Sequence, residues 1–369
     1  MKILQQCIYF PPEVGGLESH AFYLCRDLVR LGHEVTMVTS HSKKHAPREE
    51  VMDGVRVVRR WFPAKNPAGW MAHTVATIPT YLPLARSADI LHAQTFASAL
   101  PGMIAKQRYR KPLVLTLHTS HFLKLAQKPA WQPVLRRIIA SADWLLAASA
   151  EIRDVALGLY AHPRAEAVTN GVDTEIFAPR PASLPEPEQG RVRVIVPRRL
   201  FHKNGVEYFV RALPLIRQQC NVEAILVGDG PEREKLEGIA RELGVIDYCH
   251  FLGARPNAEM PGLIGSASVA VFPSLMEATS VAALEAMSCG VPEAGSNVGG
   301  LPEIVDESVG TLFEPANPAD LADKLVKLLA RPNLEETRRR ARERVTQSWS
   351  NERLARRHVE IYETLLNER

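Results

Sequence analysis

Short apolar runs of β character alternate with amphipathic helical runs along this chain, and one proline-rich segment interrupts the alternation midway. Before the interruption the strand candidates are MKILQQCIYF, EVTMVTS (34–40), VRVVRR (55–60), ADILHAQ (88–94), LVLTLHT (113–119), DWLLAAS (143–149) and AEAVTN (165–170). From Leu17 the apolar positions Ala21, Leu24, Cys25, Leu28 and Leu31 keep helical spacing, and Gly32 suits a C-terminal cap. The segment 179–190, PRPASLPEPEQG, holds four prolines in twelve residues and reads as a linker. Beyond it the alternation resumes through RVIVPRR, VEAILVGDG, CHFLGA, SVAVFPS and VPEAGSN, and two or three helices close the chain. Alternation on both sides of a linker predicts two parallel-sheet α/β domains. Such sheets bind ligands beyond the carboxyl ends of their strands, so a cleft between the domains is the expected site.

Composition excludes several classes. A chain of 369 residues with 46% hydrophobic and 23% charged residues has enough apolar material for two globular cores. No apolar run approaches the length of a membrane span. The N-terminus has one basic residue followed by Pro11, Pro12 and Glu13, which reads as a first strand and not as a signal peptide. Cys7, Cys25, Cys220, Cys249 and Cys289 form no CxxC pair; they suit a reducing cytoplasm and argue against structural zinc. The net charge of +4 hides an asymmetry: residues 1–170 carry 21 Lys and Arg against 12 Asp and Glu, and the remainder is net acidic. The basic half suits an anionic ligand or membrane surface, or is a solvated basic face; nucleic acid is not an expected partner.

Three stretches carry groups suited to chemistry. PPEVGGLE (11–18) follows the first strand, and Gly15 and Gly16 let a backbone approach a ligand ahead of the first helix. VPRRLFHKNG (196–205) sets Arg198, Arg199 and Lys203 at a strand end, where a guanidinium and an ammonium could neutralise a diphosphate. MEATSVAALEAMSCGVP (276–292) places a loop after SVAVFPS and then strong helix formers, with Thr279 or Ser280 as N-cap and Gly290 and Pro292 at the end. Glu277 then lies in the loop and Glu285 about one and a half turns into the helix. Between them are free N–H groups suited to phosphate, with a carboxylate on either side to accept from hydroxyls. A nucleotide diphosphate sugar fits that order; a capped surface helix with incidental acids fits the spacing as well.

This last stretch resembles the E-x7-E signature of the retaining GT-B glycosyltransferases of family GT4. VGGLPEIV (298–305), VGDGP (227–231), TNGVDTEIF (169–177) and PPEVGGLE also look like landmarks of that family, in its order. The resemblance implies a GT-B fold, two Rossmann-like domains facing across a cleft. The N-terminal, acceptor-binding domain would span 1–178 plus a C-terminal helix at about 350–369, and the nucleotide-sugar domain 191–349. It implies that Glu277 binds donor-sugar hydroxyls and Glu285 ribose hydroxyls. Backbone N–H groups near Ser280 and Val281 would meet the phosphates and sugar, and Gly16 would approach the diphosphate. Arg198 and Lys203 match the family's pair on the diphosphate, with Arg199 a rival because HKNG differs by one residue from the commoner EKG form. Arg255, in FLGARP, matches the position beside the base. His118, at the end of LVLTLHT, matches a histidine that contacts the donor sugar near the reaction centre, with His121 as an alternative.

Two departures stand out. The family commonly has Gly-Phe-Gly after the first glutamate, where this chain has Ala278, Thr279 and Ser280. Glu293 also stands where an apolar strand residue is usual, and a buried unpaired carboxylate there is costly. No Asp-x-Asp occurs, so charge on Arg198 and Lys203 is expected to stabilise the leaving group without a metal or other cofactor. The expected activity is a retaining, metal-independent transfer from an NDP-sugar, UDP ahead of GDP, to an acceptor hydroxyl, with a lipid-linked, a polysaccharide and a small soluble acceptor all open. The alternatives are a GT-B NDP-sugar epimerase and a non-catalytic nucleotide-sugar-binding protein. The expected location is cytoplasmic, with an optional anionic-membrane contact through Trp131, Val134, Leu135 and Ile138 beside Arg136 and Arg137. Packing of that helix on its own sheet is the preferred reading.

Overall fold

The structure is a computed structural model and describes every residue except Val14, Thr119, Thr169, Asn170, Gln189, Ala278, Thr279 and Arg369, together with the Ser120 side chain. The chain divides into two compact units, Met1–Gly171 with Asn351–Arg369, and Val172–Ser350.

The first unit is built on an eight-stranded sheet. Its strands are β1 (Lys2–Gln6), β2 (Glu34–Ser40), β3 (Glu49–Met52), β4 (Val55–Arg60), β5 (Ile90–Ala93), β6 (Leu113–Leu117), β7 (Trp144–Ala147) and β8 (Ala165–Ala167). They run in the order β3-β4-β2-β1-β5-β6-β7-β8, parallel except for the β3–β4 pair. Central strands such as β6 are buried at every residue, because helices cover both faces. On one face Ala21, Leu24 and Leu28 of the helix Gly16–Arg30 pack with Ile361, Tyr362 and Leu365 of the helix Asn351–Asn367. On the other, Tyr81, Ala85 and Ala105 close a second core. Buried histidines run through this unit. His92 hydrogen-bonds Tyr362 and Thr116, each at 2.7 Å, and His358 stacks on it with ring centroids 5.5 Å apart.

The hairpin β3–β4 escapes the apolar pattern. Its sequence EEVM is charged and half exposed, and it is the two-residue turn Asp53-Gly54, with φ of 46° and 82°, that marks it. The segment 172–190 also differs from expectation. It belongs to the second unit, so the first unit ends near 171 and not at 178. Nor is 179–190 a free tether: Leu184 packs on the core, Ser183 N–H donates to Gly262 O at 3.1 Å, and Phe177 just before it is buried. Prolines exclude helix and strand, but they do not exclude packing.

The second unit has strands β9 (Val192–Val196), β10 (Val222–Val227), β11 (Cys249–Gly253), β12 (Val269–Phe272), β13 (Glu293–Ser296) and β14 (Gly310–Phe313). Their order β11-β10-β9-β12-β13-β14 is all parallel, the doubly wound arrangement of a Rossmann sheet. β14, the run GTLF, is absent from the sequence expectation. Val194 and Val196 face one helical layer and Ile195 the other, as the two-residue strand period requires. The order in which strands are added to the sheet reverses at the parallel β9–β12 pair, and a Rossmann sheet opens its crevice there. Among the described residues no helix is long and apolar enough to cross a membrane.

Candidate functional site

The carboxyl ends of β9 and β12 carry the side chains that converge. Arg198 lies two residues past β9 and Ser274 two past β12. The Arg198 Nη2 donates to Glu277 Oε2, to Ser274 Oγ at 2.8 Å and to Asn204 Oδ1 at 3.1 Å. Its Nη1 reaches Ser280 Oγ at 3.4 Å. The Arg198 and Glu277 side chains are only 11% and 14% exposed, so this ion pair is largely shielded from solvent. Asn204 also donates from Nδ2 to Arg199 O at 2.6 Å and so ties the loop back on itself.

Backbone packing holds these loops close. Gly228 has φ of 147°, and a Cβ there would lie 2.2 Å from Arg198 O. Gly299, at φ 54°, would place a Cβ 1.6 Å from Glu277 O. The glycines of VGDGP and VGG therefore allow other backbone to press against the loops bearing Arg198 and Glu277. Ser280 is the N-cap of the helix Val281–Ser288, its Oγ accepting from Ala283 N–H at 3.3 Å. Ala278 and Thr279, the other N-cap choice among them, lie outside the described residues. Val281 is the first helical residue and is half-buried. Glu285 sits on the same helix, and burial pushes its carboxyl up to about 8.

The remaining cations divide. Lys203 stands exposed in the 3-10 turn His202–Asn204, and its carbonyl accepts from Leu275 N–H at 2.8 Å, linking the two loops. Arg199 turns outward, its guanidinium 5.5 Å from the Phe201 ring centroid. Of the two arginines, the structure thus joins Arg198 to Glu277. Arg255, beyond β11, pairs with Glu259 at 3.8 Å and lines a pocket of about 720 Å³ with Glu175, Arg180 and Leu184. Among the described residues it makes no hydrogen bond or ion pair with the Arg198 cluster.

In the first unit His118 follows β6 and is buried. Gln94 donates from Nε2 to Gln5 Oε1 at 2.5 Å, which turns Gln94 Oε1 toward His118 Nε2 at 2.9 Å. With Gln94 so oriented, a proton on His118 Nε2 completes this contact. His20, on the first helix, packs against it with ring centroids 4.5 Å apart; burial and His118 hold His20 well below the usual imidazole range. Gly15 adopts extended backbone at the head of that helix, and Gly16 has open space where a Cβ would be. His121 is exposed and packs on Trp70 at 5.0 Å.

Two family models cover most of the chain: "Glycosyltransferase Family 4" matches residues 14–176 and "Glycosyl transferases group 1" matches residues 181–348. The chain belongs to glycosyltransferase family 4. This glycosyltransferase is 28% identical to the glycogen synthase of Mycobacterium tuberculosis, over 98% of its own length and 94% of the relative's. Its fold is GT-B. A sucrose-phosphate synthase from Thermosynechococcus elongatus superposes with a TM-score of 0.84 at 21% identity, each chain covered in full. The Anabaena protein HepE, solved in complex with UDP-glucose, gives 0.76 at 20% identity, with 99% of this chain and 100% of that one covered.

Sequence reasoning misses Ser274, Asn204, Gln94 and His20 in this glycosyltransferase. Asn204 has a visible signal, the extra residue of HKNG, and in the fold it braces Arg198. The others are legible only once the sheet brings distant loops together. The helix considered for a membrane contact packs on its own unit: Leu135 and Ile139 of Gln132–Ser141 are fully buried, while Val134 is 48% exposed beside exposed Arg136 and Arg137. Leu135 therefore does not belong to an outward apolar face.

Proposed function

We propose that this glycosyltransferase moves a sugar from a nucleoside diphosphate sugar, UDP ahead of GDP, to an acceptor hydroxyl with retention and without a metal. The observation that carries the donor reading is the shielded Arg198–Glu277 pair at the β9–β12 switch point, beside the head of the helix bearing Glu285. A carboxylate already held by a cation is oriented to accept from sugar hydroxyls, and Arg198 with Lys203 supplies positive charge for a departing diphosphate. Helix N–H groups lie next to them. Glu285 is read as the acceptor for ribose hydroxyls. The UDP-glucose bound by the Anabaena neighbour is consistent with this donor class.

In the reaction the bond from the anomeric carbon to phosphate oxygen breaks and a bond to the acceptor oxygen forms. The acceptor's proton passes to the departing phosphate. Retention follows from the E-x7-E resemblance, and catalysis on this reading is chiefly positioning and charge stabilisation. His118 is kept as a residue near the reacting sugar, Gly15 and Gly16 as diphosphate neighbours, and Arg255 as a base neighbour.

Calorimetry of UDP-, GDP- and ADP-sugars with EDTA present, on wild type and Glu285→Ala, tests the donor reading. Binding of one nucleotide class, weakened in the variant, supports it; binding of none overturns it. Acceptor-dependent release of nucleoside diphosphate separates transfer from epimerisation and from simple binding.

For the acceptor side we favour a precursor at an anionic membrane. Residues 90–142 carry 8 Lys and Arg and no Asp or Glu. Lys124, Lys128, Arg136 and Arg137 among them are exposed and make no ion pair among the described residues. Co-sedimentation with anionic vesicles that is lost at high salt is the expected result.

A further inference from the structure

Glu293 opens β13, is fully buried, and has no hydrogen-bond partner on either carboxyl oxygen among the described residues. Its position on the sheet brings it beside the donor-site arginine. Glu293 is the register partner of Ala270 on β12, so these side chains share a face. Phe272, two residues further along β12, shares that face too. The Arg198 guanidinium lies 5.9 Å from the Phe272 ring centroid. Burial drives the Glu293 carboxyl well above the usual range, and the Arg198 charge draws it partly back.

Arg198 has a matching unfilled donor. Its Nη1 and Nη2 are engaged by Ser280, Ser274, Asn204 and Glu277, whereas Nε is buried with no partner among the described residues. An unfilled buried donor and two unfilled buried acceptors on one side of a sheet are costly in the resting state. They become useful if they meet in another state of the site.

We propose that Glu293 is a positioning residue for Arg198, taking its Nε–H when donor-sugar hydroxyls occupy Glu277. Arg198 then stays anchored from beneath while Nη1 and Nη2 turn to the diphosphate. This inference rests on the donor reading above. It gives a function to a carboxyl group that departs from the apolar residue usual in this strand.

The test compares Glu293→Val, Glu293→Met and Glu293→Gln with wild type. Thermal melting establishes folding. Calorimetry follows with the nucleoside diphosphate that wild type binds and with the matching monophosphate, and kcat and KM are measured with the nucleotide sugar. The apolar variants are expected to fold and to lose about tenfold in diphosphate affinity, the size of one charge-assisted hydrogen bond. Monophosphate affinity stays within about twofold of wild type, since it lacks the distal phosphate Arg198 would hold. Glu293→Gln, whose amide oxygen can still accept from Nε, recovers most of the loss. Met fills nearly the volume of Glu, so it serves if Val proves unstable. Folded apolar variants with wild-type diphosphate affinity and kcat overturn the inference and leave the donor reading standing. A wild type that binds no nucleoside diphosphate overturns both.

Discussion

Arg198 and Glu277 hold each other in a place with little solvent, so deleting either strands the other's charge. Arg198→Ala is expected to lower kcat/KM by at least about a hundredfold and to destabilise the second unit by about 3 kcal/mol. Arg198→Lys restores the charge but not the fork that reaches Ser274, Asn204 and Glu277 together, so it is expected to rescue little. Steady-state kinetics and guanidinium unfolding check both. Glu285 makes a pH prediction. Its carboxyl is raised to about 8, so near neutrality it is mostly protonated in the empty site. Ribose hydroxyls donating to it favour the ionised form, and binding then releases a proton. Donor affinity should rise with pH by up to about tenfold per unit and level off above about 8. The slope should vanish in Glu285→Gln. Calorimetry in two buffers of different ionisation enthalpy reads the released proton directly.

The elements that carry this site are legible in the sequence to different degrees. VRVVRR stands at its expected bounds, and the helix after Ser280 starts at Val281, because a strong cap and strong helix formers act locally. β3 and β14 escape a sequence reading. Their strand state comes from pairing with a neighbour, and neither EEVM nor GTLF has the apolar density of a central strand. The E-x7-E spacing discloses the two glutamates but not what holds them. Ser274 and Asn204 are polar residues in loops, and only the sheet order sets them against Arg198. The Gly-Gly loop belongs to the same lesson, because its glycine is required by backbone 22 residues away in sequence. Gly299→Ala forces a Cβ into Glu277 O and an unfavourable φ of 54°, so it should displace the Glu277 loop. The expected outcome is a loss of donor affinity larger than the accompanying drop in melting temperature would explain, measured by calorimetry on folded protein.

Taken as a whole, the molecule joins two units with opposite responses to acid. The first buries His20, His92 and His358, and burial holds all three below their usual range, His358 to about 4. An imidazole that stays neutral when folded but protonates when unfolded leaves stability flat above about 6.5. Below that, stability falls by up to about 1.4 kcal/mol per pH unit for each group. The second unit holds half-buried Glu285 and fully buried Glu293 with raised values. Their penalty is absent below about 4.5, where the unfolded chain also holds those protons, and grows as pH rises. Lowering the pH from 7 to 5 should therefore weaken the first unit and strengthen the second. Scanning calorimetry should show two transitions whose midpoints shift in opposite directions.

The helix Asn351–Asn367 completes the first unit although it is encoded after the whole of the second. On the ribosome, Leu354, Ile361, Tyr362 and Leu365 are the last pieces of a core whose other walls emerged first. Until they appear, Ala21, Leu24 and Leu28 face an open groove and His92 lacks the Tyr362 hydroxyl. The second unit, continuous from Val172 to Ser350, meets no such delay. The usual vectorial order is thus inverted: the later-made unit can mature first, while the earlier-made one keeps an apolar groove open until its closing helix is synthesised.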